Sequence, residues 1–266
     1  EASGICREQG LKRFELLSFT VQWDADTALL SGTVDGAFMD MVRLHHYRGK
    51  GHKLVCVSAT DGRWALMTSP TLRAKKVDQL KGRMAAHSRL SASEWLLSEC
   101  LRKDGVAPKD VFTPQVNDFF LRLSMLKASQ VDAAIMPEPQ ASAAMVAGCR
   151  KLNVKGLDTL STGLLVMNDK VLKKQVAVDN LKALLRSYNA AVDTINKYGK
   201  DICRDLLASR YRLSPEAINT LQLPRYRHAA LPSSYRMEAA RVYLQKSGRL
   251  GRKFKSARLV DASFLP

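Results

Sequence analysis

The chain has 266 residues, 46% of them hydrophobic and 25% charged, which suffices for one large domain or for two lobes with their own cores. No apolar run approaches the roughly 20 residues that a bilayer-spanning helix needs, so a helical membrane span is not expected. The formal net charge of +17 invites a nucleic-acid reading, but its distribution argues otherwise: residues 1–60 carry 7 basic and 7 acidic side chains, residues 161–266 carry 20 and 8. The surplus is concentrated in stretches such as Arg249–Arg258 (RLGRKFKSAR), read as a solvated helical face, with a docking patch for an anionic partner as the alternative.

In chain order, Ile5–Gly10 reads as the end of a helix stopped by glycine, and Phe14–Phe19 (FELLSF) as a short strand. Asp24–Ser31 is a helix opened by an acidic cap, with Ala25, Ala28 and Leu29 on one face. Val34–Asp40 (VDGAFMD) is a buried strand ending on an acid, and a helix from about Met41 leads to Gly49. Lys53–Ser58 and Trp64–Thr68 are strands separated only by the turn Ala59–Arg63, a break too short for a crossover helix and suited to a passage between lobes. Lys81–Ser88 is a strand; Ser91-Ala-Ser93-Glu94 is a capping box that opens a helix to about Lys103. Pro108–Thr113 is a brief strand and Asn117–Ala128 a helix. Val131–Ser142 (VDAAIMPEPQAS) then repeats the first acid-terminated strand, and a helix over Ala141–Ala147 follows it. Leu152–Leu157 is a strand, and Ser161-Thr162-Gly163 before Leu164–Met167 marks a second passage. The remainder is helical: Lys170–Lys197, Gly199–Ser209, Pro215–Leu221 and Tyr235–Ser247.

Ligands in open α/β sheets lie beyond the carboxyl ends of strands, so two acid-terminated strands predict two similar lobes facing one crevice. Asp40 and Glu138 are the paired termini; each either contacts a ligand that donates hydrogen bonds or caps the helix behind it. Ser88, Ser91 and Ser93 surround a helix N-terminus that would favour an anion, or they cap that helix and no more. Ser58, Thr60 and Arg63 in the first passage and Thr162 in the second face the same region, unless they serve backbone geometry alone. Trp64 stacks a planar ligand or lies in the core. The five cysteines, Cys6, Cys56, Cys100, Cys149 and Cys203, are scattered and odd in number, which predicts free buried thiols and neither a disulfide framework nor a metal site. No cofactor is expected.

Ser31–Asp40, QLKGRMAAHS at Gln79–Ser88, SEWLLSECLRKDGV at Ser93–Val106, VDAAIMPEPQASAA at Val131–Ala144 and the ending YLQKSGRLGR…DASFLP fall in the order of a known family. Together they resemble the extracytoplasmic substrate-binding proteins of ABC importers, in the nitrate/sulfonate/taurine and thiamine-precursor branch. The resemblance implies a two-lobed type II periplasmic-binding-protein fold, with lobe 1 from residues 1–61 and 163–266, lobe 2 from residues 62–162, two hinge crossings and a helical C-terminal tail. It implies a monomeric receptor, periplasmic or lipid-anchored on the outer face of the cytoplasmic membrane. Such a receptor closes on a small polar or anionic solute and delivers it to a membrane permease, with no role for nucleic acid. The family has a strand ahead of the helix that Glu1–Gly10 ends, so the first strand of lobe 1 is expected to be missing here. Two alternatives share the fold. An enzyme of thiamine-pyrimidine synthesis would need a Cys-rich segment and an iron-binding histidine, and a transcription-regulator effector domain would need a helix-turn-helix segment.

Overall fold

The computed structural model describes residues 8–10, 14–157, 160–254 and 258–266. Two compact units emerge: Glu1–Asp61, Thr162–Gly199 and Arg225–Pro266 form one, Gly62–Ser161 and Lys200–Pro224 the other. Most of the expected helix at Ile5–Gly10 and residues 255–257 of the basic C-terminal stretch lie outside the described residues.

The first helix, α1 (Gln22–Ser31), starts two residues earlier than expected. Val21 supplies no side-chain cap, and Asp24 sits in the first turn, where its charge still opposes the helix dipole. Gly32 ends it at φ +84, a left-handed position that glycine adopts without steric cost, with its N–H on Leu29 O. Strand β1 (Gly36–Asp40), helix α2 (Met41–Gly49) and strand β2 (Leu54–Thr60) follow. The other unit begins with β3 (Trp64–Thr68), β4 (Ala85–Ala86), α3 (Ala92–Lys103), α4 (Phe119–Lys127), β5 (Ala133–Pro137), α5 (Gln140–Val146) and β6 (Arg150–Leu152). Strand β7 (Gly163–Asn168) and the long α6 (Gln175–Tyr198) return to the first unit. Then α7 (Arg204–Tyr211) and α8 (Pro215–Thr220) join the second, and α9 (Ser234–Lys246) the first.

The first unit holds a three-stranded sheet in the order β1-β7-β2, with β7 antiparallel to both neighbours. β1 and β2 are therefore parallel, and their carboxyl ends meet where β7 begins. Val55, Val57, Leu165 and Met167 pack against Leu181 and Leu185 of α6. The second unit holds a four-stranded sheet in the order β4-β5-β3-β6, with β4 parallel to β5 and β3 antiparallel to its neighbours. Both faces of this sheet are covered. Leu66 and Ile135 meet Leu96, Leu97 and Leu101 of α3, while Met67, Ala134 and Met136 meet Leu126 of α4 and Ala141 and Ala144 of α5. Continuous apolar strands such as Ala133–Met136 are what a doubly covered sheet requires.

Several expectations are corrected. Residues 14–19 form no strand; Phe14, Leu16, Leu17 and Phe19 are exposed, and among the described residues β1 pairs only with β7, so no neighbour ladders with this segment. A strand pattern without a partner leaves its backbone to water. Lys81–Ser88 contributes only Ala85–Ala86 plus single bridges at Met84 and His87. Pro108–Asp110 is a 3₁₀ turn, with one bridge from Phe112 to Met84 in place of a strand. The strand read at Leu152–Leu157 is Arg150–Leu152, because only these residues lie opposite Leu66–Thr68. Residues 200–224, read as part of the first lobe, pack on the second unit: Leu207, Leu213, Ala217, Ile218 and Leu221 cluster with Ala143 of α5. An amphipathic helix declares an apolar face but not its partner.

Candidate functional site

In the first unit, Asp40, Thr60 and Thr162 gather at the carboxyl end of the sheet. Asp40 and Thr60 both lie opposite Gly163 in register, and Thr162 O accepts Met41 N–H at 3.1 Å. The place is tight: a methyl group on Gly163 would collide with Thr60 Oγ1. Ser58 is buried two residues back along β2, its hydroxyl donating to Ala59 O at 2.9 Å. Asp40 caps α2 by accepting Arg43 N–H on Oδ1 at 3.0 Å.

Arg43 itself lies inside. Its Nη1 meets Asp26 Oδ2 at 2.5 Å and its Nε lies 3.6 Å from Asp40 Oδ2. Tyr47 OH and Gln22 Nε2 also donate to Asp26, at 2.9 and 3.0 Å, and the Trp23 ring lies under the guanidinium. Burial acts to lower the Arg43 pKa, but the two carboxylates outweigh it and the net shift is upward. Burial and then Asp26 push the Tyr47 phenol well up. This cluster was not read from the sequence, since 17 residues separate Asp26 from Arg43. The only local sign was two polar residues on helix faces that otherwise bury Leu29 and Leu44.

In the second unit, Arg63, Trp64, Glu138 and the serines gather at the carboxyl ends of β4 and β5. Trp64 lies opposite Pro137, and Arg63 O accepts Glu138 N–H at 3.0 Å. Trp64 packs half-buried against the Leu66 core, and Arg63 Nη1 donates to Gln222 O at 3.4 Å. Glu138 behaves as a cap, Oε2 accepting both the amide and the hydroxyl of Ser142, at 3.0 and 2.9 Å.

The three serines are buried and bonded to one another. Ser91 Oγ donates to Ser88 O at 2.7 Å and accepts Ser93 N–H at 3.2 Å. Ser93 Oγ accepts Ser88 N–H at 2.9 Å and lies 2.8 Å from Ser91 Oγ, so its own proton points there. The capping box forms one step off register: Ser91 takes the second amide of α3 rather than the third, and Glu94 accepts Leu90 N–H at 2.6 Å, one residue before the cap. Leu90 is thereby held at φ +50, a conformation few non-glycine residues adopt.

Beneath this turn lies Arg122, fully buried and also missed by the sequence reading. It donates to Val116 O at 2.7 and 2.9 Å, to Ile135 O at 2.9 Å and to Ser88 Oγ, whose hydroxyl donates on to Asn117 O at 3.3 Å. One guanidinium thus ties the exit of β4 to β5. Burial lowers its pKa to about 10 against a weaker upward pull from Asp118, so it stays cationic at neutral pH. Among the described residues no group of three or more His, Cys, Asp and Glu is placed to hold a metal ion.

The two α/β units share the periplasmic-binding-protein fold of the solved structures they superpose on. The alkanesulfonate-binding protein SsuA from Xanthomonas axonopodis pv. citri, bound to MOPS, superposes with a TM-score of 0.81 at 18% identity, over 98% of this chain and 92% of its own. The periplasmic aliphatic sulphonate binding protein SsuA from Escherichia coli gives 0.78 at 16% identity, over 98% and 86%. The desulfurization enzyme DSZB shares the fold with a TM-score of 0.66 at 14% identity, over 99% and 92%. The sequence model of the NMT1/THI5 like family matches residues 4–195, and the chain belongs to that family. No curated protein matches the sequence.

Proposed function

We propose that this protein is the solute-binding receptor of an ABC importer, held outside the cytoplasm, where it takes up a small polar or anionic solute for a membrane permease. The observation that carries this reading is the gathering of polar residues, drawn from distant stretches, at the carboxyl ends of strands in both units. Half-buried Asp40 and Thr60 in one, and Arg63, Trp64 and Glu138 in the other, present side chains a solute can reach. Ser88, Ser91, Ser93, Ser58 and Thr162 are buried, the hydroxyl bonds of the four serines run within the protein, and these five act by positioning the strand-end turns of their own unit. The fully buried Arg122 and the helix dipole of α3 favour negative charge at the serine turn, which supports a sulfonate or similar anion over a cation.

Binding without turnover fits the thiols. Burial pushes Cys56 and Cys100 up to about 12, which leaves them protonated and poor nucleophiles. The direct test is thermal unfolding with a panel of alkanesulfonates, taurine, nitrate, bicarbonate, hydroxymethylpyrimidine analogues and riboflavin. A ligand at 100 times its Kd stabilises the fold by about 2.7 kcal/mol, a rise on the order of 5–10 °C in the midpoint. A sulfonate is expected to give that rise. A panel with no shift at any concentration, or a hit that is chemically consumed, would overturn the reading.

A further inference from the structure

The first unit carries two stretches devoid of acid. Residues 41–60 and 239–260 contain 11 Lys and Arg and no Asp or Glu; of these Arg43 is paired with Asp26 and the flanking Asp40, and Arg241 with the flanking Glu238, which leaves nine. They are far apart in sequence and side by side in the fold. Helix α9 packs on α2, a methyl group on Gly49 would strike Leu250, and His45 meets the Phe254 ring edge-on at 6.3 Å between centroids. The carboxyl ends of both helices and the turn after α9 therefore share one surface. Lys50, Lys246, Arg252 and Lys253 are exposed there, and Lys53, also exposed, lies beside Asp169.

Cations at helix C-termini offset the dipole, and one or two per helix would do that. The excess is larger. His46 sits within it: after burial, which is the main cause, the charge of Lys50 lowers its pKa. The aromatic rings of these stretches are turned inward: Tyr47 is buried, and Tyr243 and Phe254 are half-buried, which leaves no exposed platform for stacking bases. Long, exposed, mostly lysine side chains spread over a surface suit a diffuse sheet of negative headgroups better than a single bidentate partner.

From this the geometry points to a membrane-facing surface: the joined ends of α2 and α9 dock the protein on anionic phospholipid. The choice of lipid over nucleic acid rests on the receptor reading above, which keeps the chain beside a bilayer.

The test is co-flotation of the full chain with vesicles of phosphatidylcholine alone or mixed with phosphatidylglycerol. Binding to the mixed vesicles only, falling as salt is raised, is expected. Each basic group near such a surface is worth about fivefold in partitioning, so the combined Lys246→Gln, Arg252→Gln, Lys253→Gln variant should bind about a hundredfold more weakly. The combined Lys75→Gln, Lys81→Gln, Lys109→Gln variant, equal in charge but altered in the second unit, should bind as the parent does. No binding to anionic vesicles, or equal loss in both variants, would overturn the inference. So would a duplex oligonucleotide or acidic polypeptide that binds through Lys246, Arg252 and Lys253 while vesicles do not. Solute-induced thermal shifts should be the same in both variants, so failure here leaves the receptor reading standing and can be told apart from its failure.

Discussion

Removing the charge of Asp26 by Asp26→Asn tests the ionic centre of the first unit. Asp26 is fully buried and accepts from Arg43, Tyr47 and Gln22. The substitution keeps the shape and leaves the equally buried Arg43 with Asp40 at 3.6 Å as its remaining carboxylate. Breaking a buried pair from one side typically costs about 3–5 kcal/mol, because the surviving ion stays desolvated. Asp40 offsets part of that, so about 3 kcal/mol is expected, a fall of roughly 6–12 °C in the midpoint of the first unit. Replacing the whole centre, Asp26→Leu with Arg43→Met and Tyr47→Phe, should recover at least half of the loss, since no ion is then left buried. Urea titration and calorimetry of the three proteins measure both quantities. A loss below about 1 kcal/mol for Asp26→Asn, or a combined variant less stable than the single one, would refute the reasoning.

Glu138→Gln retains an acceptor for Ser142 and should cost under about 1 kcal/mol; Asp40→Asn retains a good helix cap but takes one carboxylate from buried Arg43 and should cost about 1–2 kcal/mol. Each should change solute affinity at least tenfold, and titration calorimetry on both variants checks this. Stability should fall as pH drops. His45 and His46 have folded pKa values below the ordinary 6.5, so their contribution is complete above that value and is lost as pH falls through 6.5 toward the folded pKa. Urea midpoints between pH 8 and 5 should show the decline, and His45→Leu should flatten it. Thiol labelling should be slow in the native protein: among the described cysteines Cys203, the one not buried, should react first, and Cys56 and Cys100 only on unfolding.

The parts of the fold that were legible are those where a local pattern has one physical solution. Val34–Asp40 and Val131–Pro137 are short and apolar, with an acid at or just past the end; they form β1 and β5, and Asp40 and Glu138 accept bonds from the helices behind them. In β1, however, only Met39 is buried and Phe38 is exposed, so the burial expected of both strands is met by β5 alone, whose sheet is covered on both faces. Ser91 and Glu94 opened α3, although Leu90 took the amide bond expected at Ser91. What depended on distant partners was not legible. Arg122 stands in the run FFLRLSML, where a guanidinium reads as the solvent face, yet carbonyls of Val116 and Ile135 draw it inward. Arg43 needs Asp26 from another helix, and α7 and α8 chose α5 over the unit that precedes them in sequence. Phe14–Phe19 has a strand's composition but no described strand beside it to complete the ladder.

Titration of the intact protein with an alkanesulfonate in a calorimeter, with the solute recovered afterwards and weighed by mass spectrometry, bears most directly on the proposed role. One solute bound per chain and recovered unaltered is the expected result. Absence of any saturable heat, or loss of the sulfonate sulfur from the recovered solute, would contradict it.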